Sequence, residues 1–356
     1  MRKTIFVIDP VCPKFYDLET LKTEGMGASE SYLLYNLVEL INNKKVENYQ
    51  FIFFQDTREE YRVLDGINNN RICFERLDQI LEYEKDYYPQ TILLQRDPRL
   101  LDYLHKIYPK SSLILYCHDF YEGGNLQSLG NEQLNRMFET GVKLVGVSKW
   151  HMNNIKENLK LRGIKVDSQL DYNYFYFNEK IKKEKRDKYK ICYFSGHHKG
   201  LGQCLTIFKK LKEIEPKFKL IVASPKYSEY EIEDSDGVEL KYNISRSEVL
   251  KEINTSLCLL HPNNVYPETF GCVNMEANKL GIPVLCYDFG ATGEIITDKK
   301  QFIKPNKYLY DPENMRECVN KILSWSKNPP IITKFNEGVD KNKVINKWLE
   351  ILTMKY

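Results

Sequence analysis

The residue types best suited to chemistry gather in four short segments. The most specific runs Tyr266-Pro267-Glu268-Thr269-Phe270-Gly271-Cys272-Val273-Asn274-Met275-Glu276-Ala277. Glu268 and Glu276 are eight positions apart, a spacing that sets two side chains on nearly one face of a helix. Glu268 falls in a loop after a strand, and Glu276 lies along the helix that follows. A carboxylate beside a ribose accepts hydrogen bonds from both vicinal hydroxyls, while amides near Phe270 and Gly271, at a helix start, face phosphate or sugar oxygens. The plainer reading makes Glu276 a solvated helix carboxylate. Its neighbours Val273, Met275 and Ala277 instead indicate a largely buried helix, where an unpaired carboxylate is expensive.

The second segment, Phe194-Ser195-Gly196-His197-His198-Lys199-Gly200, leads from a strand into a helix. A basic side chain, a glycine-rich turn and a helix dipole together suit a diphosphate. The histidine pair also raises a metal site, but no carboxylate or cysteine stands at ligand spacing. The third is Cys117-His118-Asp119 at the end of a strand. His118 there is either structural or a group that orients or deprotonates a hydroxyl, with Asp119 as its orienting partner. The fourth, Gly25-Met26-Gly27-Ala28-Ser29-Glu30, follows the first strand and opens a helix continuing through Leu33, Leu34, Leu37 and Leu40. Either its glycines and first-turn amides hold an anion, or Ser29 simply caps the helix.

Parallel sheets with crossover helices position such segments, because ligands bind beyond the carboxyl ends of their strands. The first half offers strands at Thr4–Asp9, Gln50–Gln55, Thr91–Gln95, Ser112–His118 and Lys143–Val147. The second repeats the scheme at Lys188–Phe194, Phe218–Val222, Val238–Tyr242, Leu257–His261 and Pro283–Tyr287, with helices near 200–213, 246–254, 270–280 and 312–327. Between the halves, Asp167–Lys190 keeps neither period and reads as a linker. The expected domains are 1–175, 176–335 and a terminal segment 336–356, whose amphipathic helix Lys341–Met354 needs a surface to cover; the first domain is the expected one.

At 356 residues, 42% hydrophobic and 28% charged, the chain has the length of two ordinary domains and the composition of a soluble globular protein. A net charge of +3 gives no general reason for nucleic-acid binding. The nine cysteines are scattered, with no two-residue gap of a zinc or redox motif; as free thiols in apolar strands they indicate a reducing cytoplasm. Asp9 and Pro10 cut the first apolar run too short for a signal peptide. No apolar stretch approaches the roughly twenty residues of a membrane span, so membrane contact is expected to be at most peripheral.

These residues resemble glycosyltransferase family 4, retaining enzymes of the GT-B fold. Glu268 to Glu276 is similar to that family's Glu-x7-Glu motif, followed by Ala277-Asn278-Lys279-Leu280-Gly281-Ile282-Pro283-Val284 and Gly290-Ala291-Thr292-Gly293-Glu294-Ile295-Ile296. Lys199-Gly200 resembles its basic diphosphate turn and Gly25 to Glu30 its N-terminal glycine-rich loop; His118-Asp119 and Ser148-Lys149-Trp150 are looser landmarks. The resemblance implies an α/β protein of two Rossmann-like, doubly wound domains facing across a cleft, with a C-terminal helix crossing back to the first. It implies transfer of a sugar from a UDP-sugar or GDP-sugar to a carbohydrate or glycoconjugate hydroxyl, with retention, and with no cofactor and no metal. Glu268 would then contact the donor sugar near the reacting carbon and Glu276 the ribose. Lys199, with the amides around Phe270 and Gly271, would support the departing diphosphate. Gly196, His198 and Thr269 would complete the donor site, His118 would lie near acceptor and sugar, and Gly25, Gly27 and Ser29 would form an acceptor or phosphate loop. One departure is Phe194, where many members carry an arginine five positions before the motif lysine, so charge compensation falls more heavily on Lys199 or the two histidines.

The rival readings are an epimerase or phosphorylase of the same fold, and a non-catalytic nucleotide-sugar-binding module. The absence of GxGxxG after the first strand argues against a nicotinamide dehydrogenase.

Overall fold

Strands and helices interleave along most of the described residues. The computed structural model describes residues 3–42, 46, 48–63, 72–84, 87–166, 168–177, 179, 181–224, 236–304 and 312–353. They divide into two units: the first comprises the described residues of 1–18, 29–176 and 340–356, the second those of 19–28 and 177–339.

The first unit is built on β1 (Lys3–Asp9), β2 (Tyr49–Gln55), β3 (Arg62–Val63), β4 (Ile72–Arg76), β5 (Pro89–Gln95), β6 (Ser112–Tyr116), β7 (Lys143–Gly146) and β8 (Leu170–Tyr172). They form one sheet in the order β3-β4-β2-β1-β5-β6-β7-β8, with only the β3–β4 pair antiparallel. Every residue of β1 after Lys3 is buried, the uninterrupted pattern of a strand covered on both faces. The helix Lys341–Thr353 packs on this unit through Val344, Ile345, Trp348, Ile351 and Leu352. Asn173 Nδ2 donates to the Val344 carbonyl and Thr91 Oγ1 to the Leu352 carbonyl, each at 2.9 Å.

The structure amends the expected elements at three places. The strand expected to reach His118 ends at Tyr116, which leaves Cys117 and His118 just beyond the sheet. The edge strand β3 and its neighbour β4 carry too little periodicity to be read. The stretch assigned as linker contains β8, three half-buried residues docked beside β7, where tertiary pairing decides the backbone and local preference does not. Asp167 and Met354, at the ends of expected segments, lie outside the described residues.

The second unit holds β9 (Asp187–Tyr193), β10 (Lys219–Ser224), β11 (Val238–Tyr242), β12 (Ser256–His261) and β13 (Val284–Cys286), all parallel in the order β11-β10-β9-β12-β13. Its residues divide with period two. Ile191, Tyr193, Leu220, Val222 and Leu260 enter one core layer, and Cys192, Ile221, Leu259, Val284 and Cys286 the other. Strand order reverses between β9 and β12, the switch point at which the loops beyond neighbouring strands diverge and leave a crevice.

Candidate active site

The loops after β9 and β12 carry the two most suggestive segments, and the second unit brings them together. β12 ends in His261, and Asn263 folds the chain that follows. Its Oδ1 accepts from the Val265 and Tyr266 amides at 3.3 and 3.1 Å, while its Nδ2 donates to the Tyr266 carbonyl at 2.6 Å and to Glu268 Oε1 at 3.3 Å. Glu268 is tied from the other side by a backbone bridge to Gly290 and by the Ala291 amide, 2.6 Å from its carbonyl. Gly290 has φ +67°, and a Cβ there would lie 2.4 Å from the Glu268 carbonyl oxygen and 2.5 Å from its nitrogen. Only glycine fits.

Lys199 reaches Glu268 from the turn after β9. Its ammonium lies 3.0 Å from Oε1 and 3.1 Å from Oε2. Gly200, at φ +93°, lets this turn approach closely, because a Cβ would stand 2.7 Å from the Pro262 carbonyl oxygen. Burial alone would raise the Glu268 carboxyl. Lys199, then His261, and the hydrogen bonds from Lys199 and Asn263 outweigh it and hold the group below its usual range. His198 turns its ring edge to Tyr266, centroids 5.0 Å apart, and burial followed by Lys199 lowers its imidazole. Phe194, the departure in the basic turn, joins the apolar core and supplies no charge.

Glu276 is buried in the helix Cys272–Lys279. The unpaired carboxylate feared from its apolar neighbours has a partner: Arg246 Nη1 lies 2.6 Å from its Oε1, and Arg246 Nε lies 2.6 Å from Glu179 Oε1. Arg246 was not singled out in the sequence. The readable signal was Ser245-x-x-Glu248, a capping box that fixes Arg246 at the first position of its helix. Gly271 caps the Glu276 helix in a left-handed conformation, and Phe270 is buried beside it, so the donor-site residues expected around Glu268 all lie in this unit.

In the first unit, burial leads the forces that push His118 well below its usual pKa, with Arg96 and His151 adding to it. Its ring packs edge-on to Tyr116 at 4.2 Å and parallel to Phe175 at 6.3 Å, and its Nε2 has no hydrogen-bond partner among the described residues. Tyr116 in turn meets Trp348 of the last helix at 5.0 Å. His118 lines a pocket with Arg96, Cys117, Asp119, Tyr121 and Asn125. The expected orienting role of Asp119 is not what the structure has, since aromatic rings set the imidazole. Asp119 instead offers its carbonyl oxygen to His151 Nε2 at 2.7 Å, while His151 Nδ1 accepts from the Val147 amide.

The glycine-rich loop divides. Gly25 and Gly27 group with the second unit, where the Gly25 amide donates to Asn243 Oδ1 at 3.3 Å, whereas Ser29 groups with the first. Ser29 is no N-cap: the helix already begins at Ala28, and the Ser29 hydroxyl donates to Glu30 at 2.9 Å and accepts from Arg96. The buried Glu30 carboxylate thus occupies the first turn that suggested an anion site. Sequence reasoning also missed Asp9, at the end of β1, which takes hydrogen bonds from Gln95 at 2.8 Å and Tyr16 at 3.1 Å. Burial, then Glu30, pushes its carboxyl up to about 7.

Among the described residues no helix is long and apolar enough to cross a membrane, and no group of three or more His, Cys, Asp or Glu residues is arranged to hold a metal ion.

Residues 176–342 match the family model described as glycosyl transferases group 1, a span that includes Lys199, Arg246, Glu268 and Glu276. Comparison with curated proteins gives no match. Among solved structures, the chain is similar to a pneumococcal O-GlcNAc transferase, GtfA, in complex with UDP and GlcNAc, with a TM-score of 0.67 and 10% identity over 99% of this chain and 98% of that one. It is similar to WaaG, a glycosyltransferase involved in lipopolysaccharide biosynthesis, with a TM-score of 0.60 and 14% identity over 98% of this chain and 99% of that one. It also resembles Alr3699/HepE of Anabaena in complex with UDP and glucose, with a TM-score of 0.58 and 12% identity over 99% of this chain and 100% of that one. The chain therefore has the GT-B fold of solved glycosyltransferases, and its second unit carries the group 1 glycosyl transferase match.

Proposed function

We propose that this chain is a glycosyltransferase that moves a sugar from a nucleoside diphosphate sugar, UDP-linked or GDP-linked, to a hydroxyl of a carbohydrate or glycoconjugate acceptor, with retention at the anomeric carbon. Its place would be the cytoplasm, in glycan or glycoconjugate synthesis. The observation that carries the reading is the Lys199–Glu268 pair, 3.0 Å apart at the switch point of the second unit. A cation and a carboxylate held together where ligands of open parallel sheets bind serve the two halves of a glycosyl donor.

In this reading the bond from the anomeric carbon to the diphosphate breaks with its electron pair leaving on the diphosphate. Lys199 and the first-turn amides of the helix after Gly271 stabilise that charge, so the transfer proceeds without a metal ion. Glu268 stands at the sugar, Glu276 at the ribose hydroxyls, and neutral His118 at the acceptor and sugar, where its buried Nε2 suits a hydroxyl. GtfA and HepE were solved with UDP, which makes uridine donors the first to try. The test is incubation with UDP-linked and GDP-linked sugars and carbohydrate acceptors, with and without EDTA. Release of nucleoside diphosphate together with a product of unchanged anomeric configuration is expected. Free sugar as the sole product, or an inverted linkage, would overturn the reading.

A further inference from the structure

Beside the Lys199–Glu268 pair, two buried polar atoms have no hydrogen-bond partner among the described residues: Nε2 of His261 and Nδ2 of Asn274. His261 ends β12, and Asn274 lies in the first turn of the helix Cys272–Lys279. The imidazole is anchored through Nδ1, 3.1 Å from Asn274 Oδ1, and presents Nε2 to Glu268 Oε1 at 3.6 Å. Leaving such atoms unpaired is costly, and the imidazole nitrogen among them faces the Glu268 carboxylate.

A carboxamide keeps its shape when a half-turn exchanges its oxygen and nitrogen. With the oxygen toward Nδ1, a neutral imidazole carries its proton on Nδ1 and sets the Nε2 lone pair against the Glu268 carboxylate. With the nitrogen toward Nδ1, that nitrogen donates to Nδ1, and the proton resides on Nε2 and points at Glu268, 3.6 Å away. Burial favours the neutral ring.

We propose that His261 is a positioning residue for Glu268: Asn274 sets the tautomer with the proton on Nε2, and the imidazole donates to the Glu268 carboxylate when Lys199 turns to the donor diphosphate. This rests on the reading that Glu268 contacts the donor sugar. Lys199 satisfies both carboxylate oxygens, and 3.6 Å from Nε2 is too long for a hydrogen bond. A diphosphate competes with Glu268 for the one ammonium, and the buried carboxylate then needs another donor. The Asn263 amide, which also serves the Tyr266 carbonyl, keeps its 3.3 Å bond to Oε1; the imidazole adds a second donor in place of the ammonium, and Glu268 stays in place while Lys199 supports the leaving group.

Glutamine sets a side-chain nitrogen near the Nε2 position and asparagine near that of Nδ1, at similar polarity. The experiment compares His261→Gln, His261→Asn and Glu268→Gln with the wild type, reading UDP and GDP affinity by calorimetry. It also reads kcat and KM with whichever of UDP-glucose, UDP-N-acetylglucosamine and GDP-mannose the wild type turns over fastest. His261→Gln is expected within about threefold of the wild-type kcat and His261→Asn roughly 10- to 100-fold below it, with nucleotide affinity unchanged in both. Equal kcat in the two histidine variants overturns the proposal. A wild-type kcat for Glu268→Gln overturns instead the reading on which it rests, so the two failures are distinct. Where His261→Asn fails to melt cooperatively, Asn274→Leu, which releases the tautomer, decides: about a tenfold fall in kcat supports the proposal and a wild-type kcat overturns it.

Discussion

Arg246 lies 2.6 Å from Glu276 and grips Glu179 with the same guanidinium, so the carboxylate assigned to the ribose is held by a side chain from another helix. Breaking a buried pair from one side strands the other charge, at a cost of about 3–5 kcal/mol. Arg246→Ala is therefore expected to unfold at markedly lower denaturant than the wild type, and the double variant Arg246→Ala/Glu276→Ala to recover part of the loss. Denaturant melts of the three proteins check this; a double variant no more stable than Arg246→Ala would speak against the pair.

Glu276→Ala is expected to weaken nucleotide binding, because a charged acceptor for hydroxyls is worth roughly 1.5–3 kcal/mol. Calorimetry with free UDP or GDP on a folded variant gives the answer, and unchanged affinity for both would remove Glu276 from the ribose.

Lys199 is one of the groups that offset the burial of Glu268. In the wild type the lowered carboxyl contributes stability above the usual glutamate range and loses it as pH falls through its folded pKa. Without Lys199 the folded pKa rises. The stability gap between Lys199→Met and wild type should thus be widest near neutral pH and close as acid protonates Glu268. Thermal melts across pH 3–8 test the sign, and a gap that widens toward acid contradicts it. The same variant should lose about 10²-fold or more in turnover, the usual scale for one group that stabilises developing charge.

His118→Ala should lower turnover by about 10²-fold or more with donor affinity barely changed, the scale for one acid, base or positioning group. Turnover and affinity measured on the same folded preparation decide the matter, since a purely structural histidine would cost thermal stability and leave the folded fraction active.

Gly290→Ala forces a methyl group to within 2.4 Å of the Glu268 backbone at a left-handed φ. A stability loss of about 1–3 kcal/mol is expected from the overpacking, accompanied by lowered turnover because the displaced residue carries Glu268. A variant as stable and as active as the wild type would show that the bridge is not needed.

The parallel architecture was legible because fully buried strands spell it in unbroken apolar runs, as β1 and β12 do. Glu268, Glu276 and Lys199 were legible because their chemistry is local: a turn, a helix start and an eight-residue spacing. The residues that escaped act through the fold. Arg246 meets Glu276 only because two helices pack together, and His261, the last residue of an apolar strand, acquires its meaning from Asn274 and Glu268. Asp9 likewise reads as the end of a strand until Gln95 and Tyr16 arrive beside it. Nor does any local pattern show that Ser29 lies within its helix, or that Asp119 serves His151 in place of His118.

The ring contacts from Trp348 through Tyr116 to His118 also bear on the order of synthesis. A ribosome makes His118 and the strands β1 through β8 well before Trp348, so the nascent first unit still has Tyr116 uncovered and Thr91 without the Leu352 carbonyl it will bind. The ring stack behind His118 is finished only once Trp348 has been made. A chain that stopped just short of Trp348 would keep residues 177–339 of the second unit and leave Tyr116, and through it His118, without that backing.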